Sequence, residues 1–123
     1  MASTEEEAKM RTILATIALT AATVSAAFAH SPIKYTSPGD GATIANAPSV
    51  IEIIFDGEMR LTRVTLDGPG DGAQRLELSG IEMPTPEYRL PAPALVAGRY
   101  SVEWRGMAPD GHVMTGSFVF EIE

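Results

Sequence analysis

Two histidines, His30 and His112, are the only imidazoles in this 123-residue chain, and the chain has no cysteine. Both stand at unusual places. His30 follows Ala27-Phe28-Ala29, and His112 closes the triplet Asp110-Gly111-His112. An Ala-x-Ala ending after an apolar run marks a cleavage site for export, so His30 is expected to become the amino terminus. An amino-terminal histidine chelates through two nitrogens, its α-amine and its ring Nδ1. Reference values near ~7.7–8.0 for the amine and ~6.5 for imidazole let a strongly bound cation displace both protons at neutral pH. His112 adds a third nitrogen and Asp110 a carboxylate oxygen. Three nitrogens and an oxygen in a roughly square set suit Cu(II), which stands highest in the divalent affinity series. Zinc prefers a tetrahedron and competes weakly. Asp110 either ligates directly or orients His112 from outside the coordination sphere, and residue types alone leave both roles open.

The elements that must position these residues divide at Ala29. Lys9 and Arg11 precede the apolar and small-residue run from Ile13 to Phe28. A basic start, an apolar stretch and a small-residue cut make residues 1–29 a secretory signal peptide. The run is short of the ~20 strongly apolar residues a membrane span needs. The acidic opening, Glu5 to Glu7, is atypical of a signal, and Met10 offers an alternative start. Residues 30–123 form one domain, expected in the bacterial periplasm.

Beyond residue 30 the pattern is that of strands. Val50 to Phe55 is a nearly continuous β-branched and aromatic run, as in a buried strand. From Arg99 to Arg105, Tyr100, Val102 and Trp104 share one face. Phe118, Phe120 and Ile122 do the same in the last segment. Weaker strands are expected over 61–66, 74–78 and 33–36. Turn residues separate them: Ser37-Pro38-Gly39-Asp40-Gly41, Asp67 to Gly72, Ala97-Gly98 and Pro109-Asp110-Gly111. Pro84, Pro86, Pro91 and Pro93 predict an irregular or edge segment, because proline cannot donate to a ladder. Six or seven short strands in so short a domain predict an all-β, Greek-key β-sandwich.

Composition excludes several classes. Sixteen acids against nine bases give a formal charge of -7, which disfavours nucleic acid as a partner. Without cysteine there is no disulfide framework, zinc knuckle, iron–sulfur cluster or thiol nucleophile. Glu52, inside the apolar run, is expected at an edge or paired with an arginine.

The ordered set of segments resembles the CopC family of periplasmic copper-resistance proteins. The opening carries it in His30-Ser31-Pro32-Ile33, Ser37-Pro38, Gly41 to Ile44, Ala47-Pro48 and Ile51 to Phe55. The end carries it in Gly98 to Arg105, Pro109 to His112 and Gly116 to Phe120. The resemblance implies a cupredoxin- or immunoglobulin-like sandwich of CopC type with about seven strands. It implies one Cu(II) per chain, held by His30, Asp110 and His112, in a non-catalytic monomer that hands copper to a CopD-type inner-membrane importer. Some relatives carry a methionine-rich Cu(I) site, since thioether sulfur is soft. Here only Met83 falls in the corresponding segment, and Met59, Met107 and Met114 are scattered, so a site for Cu(II) alone is expected. Two competing readings are a histidine-brace copper oxidase and a metal-free structural or adhesive sandwich.

Overall fold

The computed structural model describes residues 32–70, 72–78 and 83–123. The chain divides into two units, Met1–His30 and Ser31–Glu123. Every described residue belongs to the second, so the expected signal peptide and His30 lie outside the described residues. Seven strands build the unit: β1 (Ile33–Ser37), β2 (Ala42–Ile44), β3 (Val50–Asp67), β4 (Gln74–Arg75), β5 (Thr85–Pro91), β6 (Gly98–Met107) and β7 (Val113–Ile122). The described residues contain no helix.

The 18-residue strand β3 serves two ladders. Its first part lies between β1 and β5, with Ile53 opposite Thr36 on one side and Tyr88 on the other. Its second part, from Arg60 to Asp67, pairs with β6, and Thr65 and Leu66 pair with β4. β7 returns antiparallel along β6, and β2 closes that row parallel to β7. The result is a curled seven-stranded sheet folded into two layers, β1-β3-β5 and β4-β3-β6-β7-β2. Crossovers from β1 to β3 and from β3 to β6 give it the expected sandwich character.

The core fills the space between the layers. Ile51, Ile53, Phe55, Tyr88 and Leu90 come from one layer; Val64, Leu66, Tyr100, Val102, Trp104, Phe118, Phe120 and Ile122 come from the other. The alternation read over 99–105 and 117–123 is therefore the real inside face. Phe55 joins the layers edge-on, at 5.1 Å from the Trp104 ring and 6.0 Å from that of Tyr88. Such T-shaped pairs add about 0.5–1.5 kcal/mol beyond area burial. The Trp104 ring also covers Gly116, its partner across the β6–β7 ladder. A Cβ at Gly116 would fall 2.6–2.7 Å from three ring atoms.

Two expectations need correction, and a third is borne out. The runs 50–55 and 61–66 are not two strands but parts of β3, which continues through the exposed Asp56, Gly57 and Glu58. The segment 74–78 forms ladder pairs only at Gln74 and Arg75. The proline-rich segment is an edge strand, β5, bonded to β3 alone; this is where prolines cost least.

A buried hydroxyl holds the bend of β3. The Tyr88 hydroxyl donates to the Met59 carbonyl and accepts the Leu61 amide at 3.2 Å. Tyr88→Phe is expected to leave both buried backbone groups unpartnered and to cost about 1–3 kcal/mol. Urea denaturation measures this; a loss below about 0.5 kcal/mol, the range of inert surface changes, would show that the bend holds without the hydroxyl.

Candidate metal centre

The β6–β7 hairpin carries the site. Gly111 N–H donates to the Ala108 carbonyl, and Ala108 N–H donates to the His112 carbonyl, each at 2.9 Å. These bonds close a three-residue loop, Pro109-Asp110-Gly111, in which a turn is followed by a left-handed residue. Gly111 takes that place with φ 87°, a conformation in which an L side chain costs roughly 1–2 kcal/mol. Proline opens such turns with φ already set.

The loop brings Asp110 and His112 into double contact. One carboxylate oxygen, Oδ1, accepts the His112 backbone N–H at 3.0 Å, and the other, Oδ2, lies 2.6 Å from His112 Nδ1. A carboxylate facing Nδ1 places the ring proton there. In that tautomer a neutral imidazole keeps its Nε2 lone pair as an acceptor or ligand. Both side chains are open to solvent, His112 at 83% and Asp110 at 61%, so an ion reaches them without rearrangement of the core. Among the described residues, no three His, Asp or Glu side chains converge as a metal cluster. The structure thus supplies two of the three expected residues, and His30 lies outside the described residues.

Electrostatics follow from the same contacts. The His112 backbone N–H, then the imidazole contact, hold the Asp110 carboxyl below its ordinary value of 3.8. A depressed carboxyl stabilises the folded loop at pH above the ordinary value, and that contribution is lost as pH falls through the lowered one. Carbon-13 NMR of the Asp110 carboxyl in the metal-free protein should therefore titrate at lower pH than a free aspartate. An ordinary or raised midpoint would contradict the contact.

The remaining sequence candidates have structural roles. Glu52 pairs with Arg89 at 3.2 Å, one of the two places expected for it. Met59 is buried and Met114 packs against the core. Met107 and Met83 are exposed, on β6 and just before β5. Sequence reasoning missed a group of arginines, Arg63, Arg75 and Arg105, that line one groove. Their only sequence signal, charges on alternate strand positions, needs the strand register to become a cluster.

The CopC domain family matches residues 33–123. Copper resistance protein C of Pseudomonas syringae pv. tomato is 31% identical over 123 residues, spanning 92% of this chain and 97% of that protein. Copper resistance protein C of Xanthomonas campestris pv. juglandis is 27% identical over 128 residues, with the same shares covered. Among solved structures, CopC from Methylosinus trichosporium OB3b superposes with a TM-score of 0.63 at 22% identity, over 76% of this chain and 94% of that one. PcoC, a methionine-rich copper resistance protein from Escherichia coli, gives 0.54 at 26% identity, over 77% and 100%. The family match runs from the first residue of β1 to Glu123 and includes the hairpin loop: the chain belongs to the CopC family.

Proposed function

We propose that this protein binds copper in the periplasm, taking up one Cu(II) per chain in the service of copper resistance. The ligands are the amine and ring of His30, together with His112, after removal of residues 1–29. The observation that carries this reading is the Asp110–His112 pair: in a CopC domain, an exposed imidazole meets a carboxylate at its Nδ1, which leaves Nε2 as the ring nitrogen for a metal. Histidine ligands are commonly fixed in this way by a carboxylate on the other nitrogen. Asp110 therefore acts on copper through His112, setting its tautomer and direction. The bound ion is cargo, sequestered or passed to a CopD-type inner-membrane importer, and the site has no catalytic task.

A Cu(II) titration of chain 30–123 with a free His30 amine, followed by electron paramagnetic resonance, tests this. One equivalent should bind and give a nitrogen-rich tetragonal spectrum. A form that keeps residues 1–29 loses the amine donor. Its affinity should fall by at least about 100-fold, the upper end of what an outer-shell partner is worth. Equal affinities of the two forms would refute the amine chelate. Oxygen-dependent turnover of a substrate by the copper form would refute a binding role alone.

A further inference from the structure

The outer face of the β4-β3-β6-β7 layer carries a feature that copper binding leaves unused. Arg63 on β3 stands directly opposite Arg105 on β6. Arg75 on β4 stands opposite Thr65, two residues further along β3. Facing Cβ atoms in such a ladder lie about 5 Å apart and diagonal ones about 7–8 Å, and like charges directly opposite are destabilising. Among the described residues, the ion pairs are Glu52–Arg89 and Asp110–His112, and none involves these three arginines.

Arg63 reaches this face through a bulge. Leu61 pairs with Gly106 and Arg63 with Arg105, so Thr62 is an extra residue. Its hydroxyl donates to the Arg105 carbonyl at 3.2 Å. Without the extra residue, strict alternation after the buried Leu61 would turn Arg63 into the core; bulges commonly re-aim side chains in this way.

The three side chains line an open groove. Arg63 and Arg75 border a cavity of about 680 Å³, together with Glu103 and the hydroxyl residues Thr65, Thr115 and Ser117. The same two arginines join it to a second cavity of about 360 Å³ that reaches Arg105, Met107 and Val113. Volumes of roughly 300–1,000 Å³ suit small ligands. Guanidinium forks match carboxylates bidentately. Here they are spread over three strands about 4.8 Å apart, a spacing for several carboxylates on one molecule rather than for one compact oxyanion. The hydroxyls and Glu103 suit a ligand that also carries hydroxyl groups.

We propose that this groove is a binding site for a small multivalent carboxylate, held by Arg63, Arg75 and Arg105. The site does not depend on the copper reading and is tested without copper. The probe is citrate, titrated into the metal-free protein and followed by calorimetry and by the arginine Nε–H signals in NMR. Saturable one-site binding is expected, with acetate far weaker. Arg63→Gln and Arg105→Gln should each weaken citrate by about tenfold, the loss of one charge-assisted contact. Arg99→Gln is the control, because Arg99 shares the strand and face of Arg105 but stands opposite Glu121. The melting temperature of Arg105→Gln should stay level or rise as the facing like charges are relieved, which separates lost binding from lost folding. The proposal is overturned by an equal loss in Arg99→Gln, by inorganic phosphate or an oligoglutamate peptide binding where citrate does not, or by the absence of saturation.

Discussion

His112→Ala is expected to abolish tight Cu(II) binding and to leave the fold untouched. The side chain is 83% exposed and takes no part in the core, and surface changes of this kind usually stay within about ±0.5 kcal/mol. Its removal takes away the one nitrogen that the hairpin presents, so affinity should drop by more than the about 10–100-fold typical of an outer-shell partner. Asp110→Asn keeps the shape but loses the charge that holds the ring. It should fall within that range, with the number of nitrogens seen by electron paramagnetic resonance unchanged. Isothermal titration with a competing chelator measures both losses. His112→Ala binding as tightly as the parent would remove the hairpin from the site. A changed ligand set in Asp110→Asn would make Asp110 a direct ligand.

The largest effect on folding is expected at Trp104. The residue is 3% exposed, and its ring meets Phe55 edge-on and covers Gly116. Trp104→Ala should cost about 3–5 kcal/mol by lost transfer and by the cavity left behind. Native domains hold only about 5–15 kcal/mol in all. Gly116→Ala drives a methyl into the same ring and should cost about 1–3 kcal/mol through overpacking. The two changes share one space, so they should not add: in the Trp104→Ala background, Gly116→Ala should cost close to nothing. Denaturant midpoints of the two single variants and the double variant measure this coupling. Additive losses would show that the ring does not lie on the glycine.

Much of this fold is legible in the chain because burial alternates where a strand has one wet face. Tyr100, Val102 and Trp104 spell out β6, and Phe118, Phe120 and Ile122 spell out β7. Legibility fails where the strand itself stays regular but its surroundings change. At Asp56, Gly57 and Glu58, β3 leaves one layer for the other with its side chains in water, and a run of polar residues there reads as a loop. The family resemblance gave the right fold; periodicity alone divided β3 in two. At the site, spacing put Asp110 and His112 on one turn, but their relative roles depend on which ring nitrogen faces the carboxylate. That follows from the backbone of a loop closed around Gly111, not from residue types. The arginine groove was illegible for another reason. Arg63, Arg75 and Arg105 are far apart in sequence, and strict alternation from the buried Leu61 would turn Arg63 inward were it not for the bulge at Thr62.

The passage of β3 through both layers has a consequence for how the molecule breathes. A sandwich whose layers were joined only by loops could part along its core and re-form. Here a single stretch of backbone belongs to both, so releasing either end of β3 strips partners from β1 and β5 or from β4 and β6. Partial opening is then confined to the margins, such as the three-residue β2 and two-residue β4, while the centre lets go only in global unfolding. The hairpin that bears His112 grows from the ten-residue ladder of β6 and β7, next to that centre. An ion arriving there meets a frame that is either whole or lost.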